Sequence, residues 1–167
     1  SIKISISSDI DPSFREYERT AVTAFDAYVK PVVDDYLERL QLELKNVGMA
    51  NQPKIMQSRG GMSAVAVARN RPVRLFLSGP AAGVVGAAEV GRGLGINDLI
   101  SVDIGGTSSD IALISDGRPT LRSEGEIEGF PVRVKMVDVN SIGAGGGSLA
   151  WLDTAGGVRV GPGSAGA

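Results

Sequence analysis

The 167-residue chain contains no cysteine and no histidine. Disulfides, thiol nucleophiles, Cys/His zinc sites and a histidine general base are therefore excluded within this sequence. Any chemistry falls to carboxylates, hydroxyls, Lys, Arg and backbone amides. Neither sign of charge is in excess: 17 Lys and Arg stand against 19 Asp and Glu, for a net charge of −2. The basic residues are scattered without interleaved aromatics, so binding to nucleic acid or to an acidic membrane surface is not expected. No apolar run is long enough to cross a bilayer and no signal-peptide pattern is present, which makes the cytoplasm the expected location. At 43% hydrophobic and 22% charged residues, what remains is an ordinary globular composition, long enough for one sizeable core.

Glycine is the residue in surplus, with 23 copies that cluster from Gly79 onward. The second half is therefore turn-rich in a way the first is not. The chain starts at Ser1 and enters SIKISIS at once, and it closes on GPGSAGA, ends that suggest a fragment of a longer polypeptide.

Ile2, Ile4 and Ile6 alternate with polar residues and predict a half-buried strand. Asp11-Pro12 and the Ser13–Glu16 capping-box pattern predict a helix start. Beyond it Phe14, Tyr17, Ala21, Phe25, Tyr28, Val32, Tyr36 and Leu40 recur at threes and fours. They predict one long amphipathic segment, kinked or divided at Pro31, with the aromatic stripe in the core. A loop is expected over 46–53, a short strand over 54–57 and a small helix over 63–69. Val73–Leu77 suggests a buried strand running into Ser78-Gly79-Pro80, and Ala81–Gly91 a helix packed closely on a sheet. Strands are expected over 99–103 and 111–114, joined by Asp116-Gly117 to a segment over 120–126 in an antiparallel meander. Another strand is expected over 132–139, with extended structure resuming at 149–152. Glu124, Glu126 and Glu128 fit a solvated strand edge rather than an acid–base pair. The fold class is α/β with a mixed sheet, without internal repeats.

Three glycine sites carry the functional signal. In SVDIGGTSSDIALI, Asp103 and Asp110 bracket Gly105, Gly106, Thr107, Ser108 and Ser109. Gly105 and Gly106 permit positive φ or close approach of a ligand, successive amides can form an anion nest, and the hydroxyls add neutral donors. A carboxylate beside a phosphate makes electrostatic sense only with a cation, and Asp103 at the strand end could hold Mg²⁺, often through water. The plain alternative is a glycine-rich turn whose hydroxyls satisfy its own backbone. Ser78 and Gly79 open a helix whose free amides suit an anion, or else mark a turn that allows tight packing. Gly145, Gly146 and Gly147 allow a nucleotide to approach the backbone, or else form a flexible hairpin loop. No P-loop is present, and Gly91-x-Gly93-x-Gly95 is not a dinucleotide fingerprint.

The runs IMQSRGGMSAVAVARNRPVRLFLSGPAAGVVGAAEVGRGLG, SVDIGGTSSDIALISDGRP, SIGAGGGSLAWLD and VGPGSAGA, together with REYERTAVTAFDAYVKPVV, closely resemble the hydantoinase A/5-oxoprolinase family. The resemblance covers nearly the whole chain. It implies an actin-like ATPase fold of the sugar kinase/Hsp70 type, with residues 1–167 a fragment of the hydantoinase A domain and mainly one RNase H-like lobe. Residues 1–71 would form a strand and long helix leading into a phosphate-binding part at 72–167. Asp103, Gly105, Gly106, Thr107 and Asp110 match the hairpin of the later lobe, whereas the earlier D-x-G-G-T hairpin is missing from this sequence. Asn140 stands where relatives often carry His, and Arg59 where they often carry Asn.

The implied activity is ATP-dependent opening of a cyclic amide, hydantoin or 5-oxoproline, through phosphorylation of the amide oxygen. The cofactors would be ATP and Mg²⁺. Asp103 would be metal-binding and catalytic, with Asp110 also catalytic, while Gly105, Gly106, Thr107, Ser108, Ser78, Gly79 and Gly145–Gly147 would contact the nucleotide. The implied partners are a hydantoinase B-like subunit or domain and the N-terminal lobe. The same family includes subunits of ATP-dependent acetone and acetophenone carboxylases, and a non-catalytic nucleotide-binding or subunit-interaction module is a third reading.

Overall fold

The computed structural model describes residues 2–127 and 129–166. In chain order the helices are α1 (Ser7–Ile10), α2 (Glu16–Asn46), α3 (Val65–Asn70) and α4 (Ser78–Gly93). Strands β1 (Lys54–Met56) and β2 (Met62–Ala64) precede α3, and a 3₁₀ turn over Pro72–Leu75 precedes α4. Then follow β3 (Leu99–Ile104), β4 (Ser109–Ser115), β5 (Arg118–Pro119), β6 (Leu121–Arg122), β7 (Gly125–Ile127) and β8 (Phe130–Val132). The last four are β9 (Met136–Val137), β10 (Val139–Ile142), β11 (Ser148–Leu152) and β12 (Val158–Ser164). The elements gather into two units: residues up to Ala82 with Leu121–Val137, and Gly83–Thr120 with the residues from Asp138 onward. None of the described helices is long and apolar enough to cross a membrane.

The first unit is organised by α2, which runs 31 residues without a break at Pro31. A proline removes one backbone donor and crowds the preceding turn, and here the packing of the helix on both sides of Pro31 overrides that cost. The helix starts at Glu16, with Arg15 at the N-cap position and no side-chain cap; Asp11 instead accepts bonds from the Ser13 amide and hydroxyl. The expected capping box is therefore absent. Its buried face is Val22, Asp26, Asp34 and Leu37. Val22 packs with Ile10, Val73, Val132, Val134 and Met136, whereas Leu37 packs with Val65 and Ala68. The stripe is split: Phe14, Tyr17, Tyr28, Val32 and Tyr36 are exposed, whereas Phe25 and Leu40 pack against the two core clusters. Aromatic periodicity marked an amphipathic helix but placed most of its stripe on the wrong side, since two carboxylates interrupt the face that is buried.

Those carboxylates also explain the missing strand at the start. Residues 2–6 form no strand, and Ile2, Ile4 and Ile6 are exposed. The alternation is used in reverse, with Lys3 paired to Asp34 and Ser5 donating to Asp26. Asp26, fully buried, also accepts from the Val73 amide at 3.1 Å and pairs with Lys30. That amide bond, with Pro72 at the start of the turn, holds Val73 in a 3₁₀ conformation where a strand was expected. Arg69 forms a second ion pair with Asp34.

All strand pairs among the described residues are antiparallel, so the sheet is not mixed. The segment expected as one strand over 132–139 is broken, contributing β9 to a pair with β6 and β10 to a pair with β4. The small helix and the strand over 54–57 appear close to their expected places as α3 and β1. Glu124 and Glu126 are exposed, as a solvated edge requires, and Glu128 lies outside the described residues.

The second unit is a four-stranded sheet, β10-β4-β3 with β5 on β4, together with the β11–β12 hairpin and most of α4. The β4–β5 turn places Asp116 and Gly117 at φ +52° and +69°, the left-handed pair that a two-residue hairpin favours. Gly91 is required where α4 meets the sheet, since a Cβ there would lie 2.4 Å from Leu99 Cδ2.

The Arg69 guanidinium, and after it the Lys3 ammonium, hold the Asp34 carboxyl down at about 2 from an ordinary 3.8. A depressed carboxylate stabilises the fold above its unfolded value and loses that contribution as pH falls through the folded value. Replacing Asp34 with Asn should remove a stability increment that is constant above about pH 5 and vanishes between about pH 4 and 2. The difference between wild-type and variant melting temperatures across that range is the measurement.

Candidate functional site

Side-chain alternation sorts the sheet of the second unit into two faces. On one face, cross-strand neighbours run Leu99–Ile114, then Ser101–Ala112–Val139, then Asp103–Asp110–Ser141. Ala112, Ile114 and Val139 are buried there. The apolar stripe therefore ends, at the turn, in two carboxylates directly opposite each other. Helix α4 passes beside this end, since a Cβ on Gly83 would sit 3.6 Å from Asp103 Oδ2. Asp110 accepts a hydrogen bond from the Ser141 hydroxyl, and Asp103 is exposed. Asn140 pairs with Ile111 and so belongs to the opposite face from Asp103 and Asp110.

The turn between β3 and β4 closes through a bond from the Gly105 amide to Ser108 O at 2.9 Å. The second glycine turn is docked on it, backbone to backbone. Gly146 N–H donates to Gly105 O at 2.9 Å, and Gly147 N–H donates to Gly106 O at 2.8 Å. The Ser109 hydroxyl reaches Ala144 O, and Ser148 Oγ accepts from the Gly145 amide. Ala165 N–H then donates to Gly147 O, tying the end of β12 to the same cluster.

This packing assigns the triple glycine a structural purpose. A Cβ on Gly145 would lie 2.6 Å from Gly105 O and 2.7 Å from Ser108 N. One on Gly147 would lie 2.1 Å from Gly166 O and 2.9 Å from Gly106 O. Gly146 has only an ordinary contact, at 3.8 Å. The loop is thus neither flexible nor open at all three positions, and the amides of Gly146 and Gly147 are already spent. None of the described hydrogen bonds uses the amides of Gly106 and Thr107, and Thr107 is exposed. Those two N–H groups and the hydroxyls of Thr107 and Ser108 are what the turn can offer an anion.

Ser78 and Gly79 belong to the first unit, where they are the first residues of α4. Leu77 immediately before them has φ +52°, a conformation that costs a non-glycine residue about 1 kcal/mol or more. Ala81 N–H is the first amide bonded back into the helix, to Leu77 O, so the amides of Ser78 and Gly79 precede the intrahelical ladder.

The donors near Asp103 are hard oxygens, which suit Mg²⁺ rather than a softer metal. No group of three or more acidic residues that could hold a metal occurs among the described residues. A Mg²⁺ at Asp103 would therefore complete its shell with water and phosphate oxygens, as is usual for this ion.

The family model described as Hydantoinase/oxoprolinase matches residues 19–167. Caprolactamase subunit alpha of Pseudomonas jessenii is 39% identical over 95% of the chain and 23% of its own length. The crystal structure of ATP-dependent caprolactamase from that organism superimposes with a TM-score of 0.84, covering 98% of this chain and 24% of the other. The acetone carboxylase beta subunit of Xanthobacter autotrophicus is 31% identical over 99% of the chain and 23% of its length. A nucleotide-free acetone carboxylase structure superimposes at 0.79, with 32% identity over 96% of this chain and 22% of that one. 5-Oxoprolinase 1 of Arabidopsis thaliana is 36% identical over 98% of the chain and 13% of its length. The chain thus spans a quarter or less of each of these relatives.

Alanine at Gly145 or Gly147 should lower the melting temperature markedly, with a loss of about 1–3 kcal/mol from overpacking. Alanine at Gly146 or Gly143, where a Cβ meets open space or an ordinary contact, should change it little. Thermal melts of the four variants measure this.

Proposed function

Because the chain belongs to the hydantoinase/oxoprolinase family, we propose that it is part of an ATP-dependent enzyme that opens cyclic amides, and that the Asp103–Asp110 hairpin is one side of its Mg²⁺-ATP site. The observation that carries this reading is the register of Asp103 opposite Asp110 at the mouth of a glycine turn with unspent amides. Two opposed carboxylates are costly by themselves, and a divalent cation bridging to phosphate turns them into a positioning device. The relatives named for lactam-opening reactions are 39% and 36% identical to this chain. The actin-like ATPase architecture belongs to the same proposal.

The nucleotide, when bound, would supply the phosphoryl group that makes the amide carbon a better electrophile. The work left to this chain is positioning and charge neutralisation, which is most of what phosphoryl transfer asks of a protein. Asp103 holds the cation, directly or through water, with Gly83 leaving room beside it. Gly106 and Thr107 direct their amides, and Thr107 and Ser108 their hydroxyls, at phosphate oxygens. Asp110 sits opposite the cation site, held in orientation by Ser141. Gly145–Gly147 act indirectly, by fixing the turn. At the start of α4, the free amides of Ser78 and Gly79 would suit a phosphate oxygen. Several relatives are named as subunits, which supports a hydantoinase B-like partner for the complete protein, and the cytoplasm is its proposed location.

The acetone carboxylase likeness favours a second reading, a subunit of an ATP-dependent ketone carboxylase using the same hairpin. The full-length chain with its partner subunit and Mg-ATP separates the two by phosphate release. Hydantoin or 5-oxoproline should stimulate it, whereas stimulation only by acetone or acetophenone with bicarbonate would replace the hydrolase with the carboxylase. Asp103→Asn should lower the stimulated rate by about a hundredfold or more without lowering the melting temperature, since it removes a like-charge neighbour from Asp110. Retained activity would remove the metal assignment.

A further inference from the structure

The first unit contains a recess of about 220 Å³ whose floor includes Ile10, Val73 and Val134 of the Val22 core cluster. It is lined also by Gln57, Arg59, Arg74, Arg133, Lys135 and Asp11. Four cations thus face one carboxylate. Asp11 Oδ1 accepts from the Ser13 amide and hydroxyl, and its buried Oδ2 lies 3.5 Å from Arg133 Nε as an ion pair without a hydrogen bond. That pairing neutralises Arg133. Among the described residues no carboxylate comes within ion-pair distance of Arg59, Arg74 or Lys135.

We propose that this recess binds a small, doubly charged oxyanion of the phosphate class, held by Arg59, Arg74 and Lys135. Its volume suits inorganic phosphate or the terminal group of a phosphomonoester, and is below the range of sites that take a whole drug-sized or nucleotide ligand. Planar guanidinium groups match the fork of a phosphate, and the ammonium of Lys135 adds a point charge. Arg74 is the key residue. It is half-buried, and its ionised form is disfavoured by that burial first and then by Arg71 and Arg59, with Asp26 the only counterweight. A desolvated cation facing like charges gains most from an anion. Arg74 is also well placed by backbone geometry, since its carbonyl accepts both the amide and the hydroxyl of the buried Ser58. The backbone at Arg74 is therefore held in place, while Arg59 and Lys135 line the recess from exposed positions. The residues of the hairpin assigned to ATP belong to the other unit.

Isothermal titration of inorganic phosphate into the full-length chain, without nucleotide and at low ionic strength, tests this. One saturable site is expected, with binding weakened about tenfold or more in Arg74→Gln and in Lys135→Gln, as loss of a charge-assisted hydrogen bond implies. Lys135 is exposed, so its variant keeps the test valid if Arg74→Gln fails to fold. Asp103→Asn should bind phosphate as the wild type does. A simple alkyl phosphate that binds as well as phosphate identifies a phosphomonoester terminus as an acceptable ligand, and one that is rejected limits the site to the free ion. Absence of saturable binding, equal affinity in the Lys135 variant, acetate binding as tightly as phosphate, or loss of binding in Asp103→Asn would each overturn the assignment.

Discussion

The second unit depends on one contact between two stretches of backbone. The turn after β3 and the turn after β10 meet through Gly146 N–H to Gly105 O and Gly147 N–H to Gly106 O, with no side chain intervening. Such an approach is open only to residues without a Cβ, which is why glycine stands at 145 and 147. Glycine is usually invoked for flexibility; here it serves the reverse purpose. Removing the side chains lets two loops lock, and the lock fixes what the first turn presents. The bond from Ala165 to Gly147 O extends the same arrangement to the last strand. Amides consumed in the lock are unavailable to a ligand, so the division of labour between the turns follows from hydrogen-bond bookkeeping alone.

The first unit relies on a different device, two carboxylates buried on one helix face. Asp26 and Asp34 tie together four segments: residues 2–6, α2, α3 and the 3₁₀ turn. A buried carboxylate is tolerable only when its lone pairs are matched, and once matched it dictates geometry more sharply than a leucine would. The Val73 amide bond to Asp26 illustrates this, because it sets the backbone of a segment whose residue types favour a strand.

What was legible in the sequence tracks how local its cause is. The β3–turn–β4 hairpin, the Asp116-Gly117 turn and α4 follow from residues adjacent in sequence, and the structure contains all of them. The family was legible for the same reason, since its motifs are contiguous. Three expectations failed where a distant partner decided. Ile2, Ile4 and Ile6 lack a strand because Asp26 and Asp34 recruit the intervening polar residues. Tyr17, Tyr28 and Tyr36 face outward because the carboxylates set the buried face of α2. Residues 73–77 are not a strand because of one side-chain acceptor 47 positions away. At the hairpin, residue types pointed to the glycines, but only coordinates separate those that pack from those left to meet an anion. The cationic recess had no sequence signal, since Arg59, Arg74 and Lys135 come from segments far apart in the chain.

The position of the two aspartates within their sheet bears on why the hairpin is more than a turn. Folding alone would extend the apolar series Leu99–Ile114 and Ala112–Val139 to the end of the face. Instead the series ends in like charges on adjacent strands, a placement that costs up to about 1 kcal/mol relative to neutral neighbours. Ser141 relieves Asp110 by one hydrogen bond, and exposure relieves Asp103 by hydration, but neither removes the repulsion. The backbone lock keeps the pair from relaxing by moving the turn. A sheet end that is both rigid and electrostatically unsatisfied favours whatever brings positive charge to it, and a cation that arrives already bound to phosphate also satisfies the amides of Gly106 and Thr107. On the proposed reading, the carboxylates and the amides, each of the wrong sign for the other's ligand, would be reconciled by a metal–phosphate pair and by neither ion alone.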